Sequence, residues 1–362
     1  MIEHAYIHIP FCIRKCNYCS FISGENIQNK QIYLEQLLKE IKTRYNGELL
    51  KTLYFGGGTP SLLDIKDISI LLDCFNLSGN AEVTIETNPE TVTFEKFSGY
   101  VKTGINRVSI GIQTFNPYIL EKIGRKHTEK QAENSVYSVK KSGCNNVSID
   151  LIYGLPNQTI NDFKTDIKRA LKLKINHISY YGLKIEKGSF FYENPPSNLP
   201  DDELQAEMYN ILCDSLFEYN HYEISNFALK GFESRHNCAY WKNKEYYGFG
   251  LNASGYEGKI RYKNISDFNE YIKNPFKKEE KIILTENEAM ENEIFLALRL
   301  KEGINIKKFN KKYNINFLNK YEKIINKYEK FGLLKIENEH IKLTREGILL
   351  SNEIMSEFVS IN

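Results

Sequence analysis

The sequence predicts an α/β fold: a partial (β/α)6 barrel of the TIM type, followed by a C-terminal α+β domain of winged-helix type. Three observations lead there. Strand-like and helix-like segments alternate through the first half of the chain, which implies a parallel sheet with crossover helices. The clusters of chemically able residues fall just after the strand-like segments, where α/β barrels place their working face. The rhythm then changes near Glu186 and again near Thr285.

The strand candidates are Ala5–Ile9, Leu50–Phe55, Glu82–Glu86, Arg107–Ile112, Asn146–Leu151 and His177–Tyr181. Amphipathic runs lie between them at Ile32–Ile41, Ile65–Cys74, Thr93–Val101, Glu129–Lys141 and Thr159–Leu173. Six such repeats fit an open barrel better than a closed eight-stranded one, so residues 1–185 form the first unit. Residues 186–284 read as a connecting region: a Pro/Asn-rich loop at Ser189–Pro200, a helix over Asp201–Tyr219 and a strand at Tyr222–Phe227. After these comes a Gly- and aromatic-rich stretch at His236–Tyr256. Residues 285–362 form the last unit, with helices at Glu286–Leu300, Ile306–Tyr313 and Asn316–Phe331, a hairpin at Leu333–Leu343 and a closing helix at Thr344–Phe358.

Composition narrows the function classes. With 41% hydrophobic and 13% aromatic residues the 362-residue chain can fill its cores. Its 48 basic and 46 acidic residues leave a net charge of +2, so it has no broad basic field to attract nucleic acid. The local run Lys307, Lys308, Lys311 and Lys312 is diluted by Glu322, Glu329, Glu337 and Glu339, and reads as a solvated face. No stretch of about 18 apolar residues could span a bilayer, and MIEHAYIHIPF holds no secretory pattern, so the expected location is the cytoplasm.

Three of the seven cysteines fall within eight residues, which in a reducing compartment points to metal binding. Cys12, Cys16 and Cys19 have the spacing C-x3-C-x2-C. Three thiolates on one loop can hold three irons of a [4Fe-4S] cube and leave the fourth iron open. A zinc site would need a fourth ligand, for which His4 and His8 are the nearby candidates.

The run YIHIPFCIRKCNYCSF resembles the oxygen-independent coproporphyrinogen III oxidase-like family of radical S-adenosylmethionine (SAM) proteins, and the likeness extends over nearly the whole chain. The resemblance implies a cluster whose open iron chelates SAM and whose electron cleaves the sulfonium C–S bond. It also implies the SAM contacts. The Gly56–Pro60 loop, with Gly57, Gly58 and Thr59, is similar to the one that meets the SAM amino group, its glycines letting backbone amides come close. Glu86 can accept from that amino group or from ribose hydroxyls, Arg125 can pair with the methionine carboxylate, and Gln113 and Asp150 can take ribose hydroxyls. A structural Asp–Arg pair is the alternative for the last residues. Tyr6 and Tyr18 match the aromatic positions flanking the cluster.

Within this family the chain resembles the heme-chaperone branch. Oxidase members usually carry a further Cys where this chain has Phe21, and an N-terminal extension where this chain starts five residues before Tyr6. Arg235-His236-Asn237-Cys238-Ala239-Tyr240-Trp241 is similar to the branch signature H-N-x-x-Y-W, which implies that His236 is a heme ligand beside the flat surfaces of Tyr240 and Trp241. Cys238 is the competing axial ligand, and Cys74, Cys144 and Cys213 read as buried thiols. Asn252 stands where the family tends to have a small residue, which bears on the shape of the adjoining pocket. The function implied is heme binding and transfer to acceptor apoproteins. Oxidative decarboxylation of coproporphyrinogen III is the alternative, and a homodimer is left open. His127 and His177 receive no role.

Overall fold

The computed structural model describes residues 1–359; the last three residues of the expected C-terminal unit lie outside them. Six parallel strands form the sheet in sequence order: β1 (His4–Ile9), β2 (Leu50–Gly57), β3 (Leu77–Thr87), β4 (Arg107–Gln113), β5 (Asn146–Tyr153) and β6 (His177–Gly182). Helices α1 (Lys30–Arg44), α2 (Ile65–Leu72), α3 (Phe94–Thr103), α4 (Pro117–Lys122), α5 (Glu129–Lys141) and α6 (Ile160–Lys172) lie between them.

Several helix starts are written in the sequence. Asp64 with Asp67, Thr128 with Gln131 and Thr159 with Asp162 form capping boxes at α2, α5 and α6, each satisfying amides that the first turn leaves free. The six-residue α4 was not expected. Its signal is Asn116-Pro117: the asparagine side chain accepts from Tyr118 N and Ile119 N, and proline fills the first helical position.

The side chains of the strands alternate between two chemistries. Ala5, Ile7, Leu53, Phe55, Val83, Ile85, Val108, Ile110, Val147 and Ile149 are buried in the main core. The intervening positions, which share the opposite face by strand periodicity, are polar or tyrosine: His4, Tyr6 and His8 on β1, Thr52 and Tyr54 on β2, Glu82, Thr84 and Glu86 on β3. The barrel is thus oily where helices cover it and polar inside.

The stretch expected only to connect the units does more. After α7 (Phe190–Glu193) and α8 (Asp202–Ser215), β7 (Asn220–Glu223) and β8 (Asn226–Ala228) extend the sheet antiparallel beyond β6. The single strand expected at Tyr222–Phe227 is broken because the buried Glu223 carboxylate accepts from Ser225 N and the Asn226 amide, turning the chain between them. After α9 (Arg235–Trp241), β9 (Tyr247–Phe249) returns to pair parallel with β1 at the other edge. The nine-stranded sheet stays open, ordered β7-β8-β6-β5-β4-β3-β2-β1-β9. A second sheet follows from β10 (Ser254–Glu257), β11 (Ile260–Asn264) and β12 (Lys278–Ile283), with α10 (Phe268–Lys273) between the last two.

The C-terminal unit runs α11 (Glu286–Ala297), β13 (Ile304–Asn305), α12 (Ile306–Tyr313), α13 (Phe317–Lys320), α14 (Glu322–Lys330), β14 (Leu334–Glu337), β15 (His340–Leu343), α15 (Arg345–Leu349) and α16 (Ser351–Val359). Helices followed by a β14–β15 hairpin are the winged-helix order the sequence suggested. Two expected helices are each broken in two. Asn316–Phe331 breaks at Tyr321, at φ −109°, where the ring packs 4.8 Å from Phe317 and 5.3 Å from Phe358. Thr344–Phe358 breaks at Leu350, at φ −107°.

Glu40, fully buried on α1, clamps the barrel to this added chain. It pairs with Arg44 at 2.5 Å and accepts from Gly250 N at 2.8 Å, the Tyr271 hydroxyl at 2.9 Å and Asn264 Nδ2 at 2.9 Å. Removing it strands several buried donors and takes a carboxylate from two cations, Arg44 and Lys278. Glu40→Ala should therefore cost about 3–5 kcal/mol, read as a lower denaturant midpoint, while Lys273→Ala, in an exposed pair with Glu270, leaves the midpoint in place.

Candidate functional site

The polar face of the barrel gathers the residues singled out from the sequence at the carboxyl ends of β1 to β5. Cys12, Cys16 and Cys19 lie on the loop after β1, all partly accessible. Cys12 N donates to Gly24 O at 3.0 Å, which closes the loop at its base, and Cys19 N donates to Cys16 O at 3.1 Å, a turn within it. Gly58 makes room for it: a Cβ there would stand 2.5 Å from Phe11 O and 3.0 Å from Cys12 Sγ. Burial pushes the Cys12 and Cys19 thiols up, so these sulfurs keep their protons until a metal displaces them.

Among the described residues no group of three or more His, Cys, Asp or Glu is arranged around a single ion. Thiolates that each take a different iron of a cube need not share one centre, so the three-cysteine loop fits a cluster better than a lone zinc. The histidines that could have completed a zinc site are placed elsewhere. His8 is engaged at both nitrogens, with the Tyr6 hydroxyl at 3.0 Å and Ile22 O at 3.1 Å, and His4, bonded to Thr52 at 2.9 Å, stands at the far end of β1.

The glycine loop departs from its sequence-based reading. The amides of Gly57, Gly58 and Thr59 do not await a ligand: they donate to Glu86 Oε2 at 3.1 Å, Ile9 O at 2.9 Å and Phe11 O at 2.7 Å. What the loop can still offer is carbonyl oxygen, the right partner for an amino group. Glycine is required at Gly57 for a different reason, its φ of +114° with His8 Cε1 only 2.6 Å from any Cβ.

Glu86 closes β3. Its Oε1 accepts from the Tyr54 hydroxyl at 2.7 Å, and burial raises its carboxyl to about 7, with the nearby Asp150 charge adding to the rise. Asp150 on β5 accepts from Ser109 at 3.0 and 3.1 Å, and burial raises it too. Gln113 ends β4 at φ +70°, in the left-handed region that residues with a Cβ avoid, beside a register shift against β5. Gly111 leaves the space this needs: a Cβ there would stand 2.8 Å from Gln113 Nε2, 3.1 Å from Asn88 Oδ1 and 3.3 Å from Arg125 Nη2. Those three side chains therefore converge.

Arg125 donates through Nη1 to Asn88 Oδ1 at 2.5 Å and through Nη2 to the Tyr18 hydroxyl at 3.0 Å, while its Nε is buried without a partner. An anchored guanidinium whose Nε has no partner suits a carboxylate ligand. The bland alternative, a direct Asp150–Arg125 pair, is not formed. Asn88 is the residue the sequence reading missed. It also donates to Thr59 Oγ1 at 2.9 Å, and the Thr59 hydroxyl in turn donates to Cys12 Sγ at 3.7 Å. One amide thus ties the arginine to the cluster loop; its position in Glu86-Thr87-Asn88-Pro89 was the available signal.

The signature histidine is not at the surface. His236, 1% exposed, enters the barrel from α9, whose first amides at Arg235 and His236 donate to Glu82 at 3.1 and 3.0 Å. Both ring nitrogens are engaged, Nδ1 with Thr52 Oγ1 at 2.7 Å and Nε2 with the Tyr240 hydroxyl at 2.7 Å, and burial holds it far below the usual histidine range, so it is neutral. Nor do Tyr240 and Trp241 make one flat surface. Tyr240 turns inward to His236, while Trp241 lies under Arg299, 4.4 Å from its ring centre. Tyr240, Trp241, Tyr246, Lys244 and Arg261 line an open pocket of about 220 Å³. The Cys238 thiol is pushed up to about 12 by burial, which makes it a reluctant ligand. Asn252 has φ +59°, a left-handed conformation that asparagine tolerates, which accounts for its use there.

Two outcomes follow for this site. Anaerobic reconstitution should give about four iron and four sulfide per chain, and Cys12→Ala, Cys16→Ala or Cys19→Ala should remove the brown chromophore; full iron in the triple variant would contradict the assignment. SAM binding should strengthen with pH. Glu86, raised to about 7, is neutral below that pH and a full acceptor above it, so affinity should be about tenfold weaker at pH 6 than at pH 8. Glu86→Gln should flatten that profile, as read by calorimetric titration.

Comparison with known proteins agrees with this geometry. Residues 6–170 match the Radical SAM superfamily and residues 284–350 the HemN C-terminal domain. The chain is 39% identical to the heme chaperone HemW of Lactococcus lactis subsp. lactis (strain IL1403), over 98% of this chain and 97% of that one. It is 35% identical to the heme chaperone HemW of Bacillus subtilis (strain 168), over 99% of each. Among solved structures, coproporphyrinogen III oxidase (HemN) from Escherichia coli, a radical SAM enzyme, matches with a TM-score of 0.87 at 22% identity, over 99% of this chain and 90% of that one, and shows a shared fold. The likeness in sequence over nearly the full length settles membership: the chain belongs to the heme chaperone HemW family of radical SAM proteins.

Proposed function

We propose that this protein is a heme chaperone that carries a [4Fe-4S] cluster on Cys12, Cys16 and Cys19, binds SAM on the polar face of its barrel, and passes heme to acceptor apoproteins. The observation that carries the reading is the placement of the heme-chaperone signature at the base of that face, with His236 inside the barrel and its neighbours lining a pocket outside it. The names of the full-length relatives support the same function.

When bound, the cluster supplies an electron and SAM the sulfonium that can accept it. The chain's own residues do the positioning. Tyr18 and Asn88 aim Arg125, which would hold the SAM carboxylate; Ser109 orients Asp150 and the bend at Gln113 turns its amide inward, both toward ribose hydroxyls; Tyr54 and Gly57 donate to Glu86, which orients its carboxyl and opposes the rise that burial imposes on it. Tyr6, stacked 6.0 Å from Tyr54, walls the site.

Heme is the cargo. The pocket of Tyr240, Trp241 and Tyr246 is too small for a whole macrocycle but can take its edge, and Lys244 and Arg261 stand there to meet propionates. His236 lies behind Tyr240, bonded to its hydroxyl at 2.7 Å, and would offer the iron a ring nitrogen once that bond opens. The oxidase alternative loses weight at Phe21, 62% exposed beside the cluster loop where oxidase-like members carry a further thiol.

A heme titration followed in the Soret region tests this. The protein should bind about one heme per chain, His236→Ala should shift the band and weaken retention, and Cys238→Ser should do neither. A large change for Cys238→Ser with none for His236→Ala transfers the axial role to the thiolate. No change in either variant removes the residue-level support for the chaperone reading.

A further inference from the structure

His236 and the SAM-facing carboxylate are connected by consecutive contacts. The imidazole stacks on Tyr54 with ring centres 5.0 Å apart and planes 26° from parallel. The Tyr54 hydroxyl donates to Glu86 Oε1 at 2.7 Å, and the other Glu86 oxygen accepts from Gly57 N at 3.1 Å. Tyr6 covers a further side of Tyr54, 6.0 Å away and 25° from parallel. Tyr54 therefore has little freedom while His236 is in place. His236 in turn is fixed by Thr52 and Tyr240, and Thr52 is shared with His4 Nδ1 at 2.9 Å.

We infer that His236 is a positioning residue of the SAM site: its ring holds Tyr54, and Tyr54 holds the Glu86 carboxylate in the orientation that SAM meets. The inference rests on the reading of Glu86 as a SAM contact. It carries a consequence for heme. An iron can take a ring nitrogen only if the bond to Thr52 or to Tyr240 breaks, and a ring that is 1% exposed must leave its stack to reach it. Withdrawal frees Tyr54 and with it Glu86. Heme coordination by His236 and SAM binding then oppose each other, and by linkage each weakens the other by the same factor.

SAM affinity of the anaerobically reconstituted full-length protein, measured by calorimetry beside cluster absorbance, tests this without any turnover assay. Tyr54→Phe keeps the stacked ring and removes only the hydroxyl; the SAM Kd should rise about tenfold, as expected for losing a hydrogen bond to a carboxylate. His236→Ala should raise it comparably with the cluster spectrum intact. The double variant should lose little more than either alone, because both act through one bond. His236→Phe, which restores a flat ring but no nitrogen, should recover most of the affinity; a merely unfolded site would recover nothing. An unchanged Kd for His236→Ala, or losses that multiply in the double variant, overturns the inference. Repeating the titration on heme-loaded protein separates it from the chaperone reading. Weaker SAM binding in that sample supports both. SAM binding that ignores heme, with His236→Ala still raising the Kd, upholds the positioning role and takes the axial role away from His236.

Discussion

The structure depends on one constraint, the two-faced alternation of the six parallel strands. The outer positions must be apolar because helices seal them, as Ile7, Phe55, Ile85, Ile110 and Ile149 show. The inner positions carry histidines, tyrosines, carboxylates and arginine. A slip of one residue in any strand would exchange the two sets and bury charge against helices. Register is therefore fixed strongly, and with it the neighbourhood of the site: Tyr6 opposes Tyr54, Tyr54 opposes Thr84, and Glu86 opposes Ser109, which holds Asp150. Buried Arg107, opposite Thr84, puts a positive charge among the acids of this face.

A polar interior needs closing, and the added chain provides it. α9 seats its first turn on Glu82 and sends His236 up among the tyrosines, while β9 extends the sheet beyond β1. Glu40 binds this returning chain to α1. The signature motif is thus part of the barrel's inner packing as well as a candidate heme site. The two uses proposed for His236 share one ring, and on that proposal the heme end and the SAM end of the molecule do not act independently.

The sequence made much of this legible. Long, apolar, strand-like runs marked β1 to β6, and the residues expected to carry chemistry gather at the carboxyl ends of those strands, the end where a parallel barrel places such loops. What stayed hidden lacks a one-dimensional signal. β8 and β9 have three residues each, too short for periodicity to show, so the region around them read as a connector. Asn88, Tyr54 and Ser109 act by orienting Arg125, Glu86 and Asp150, and nothing in their types distinguishes them from ordinary strand and turn residues. The inward pointing of His236 follows from Glu82 capping α9 across more than 150 residues of sequence, a contact no local pattern announces. Nor does spacing reveal that the amides of the glycine loop are already bonded within the protein.

The family is clear from sequence over the whole chain, and the fold is shared with a porphyrinogen oxidase. What separates chaperone from oxidase is the fate of the porphyrin. The most direct measurement loads the anaerobically reconstituted protein with heme, mixes it with an apo-acceptor of a b-type cytochrome domain, and follows the acceptor's own heme spectrum, with a parallel sample given coproporphyrinogen III, SAM and reductant. The account predicts that heme appears on the acceptor and that no protoporphyrinogen forms. Heme that stays on the protein while coproporphyrinogen is decarboxylated would contradict it.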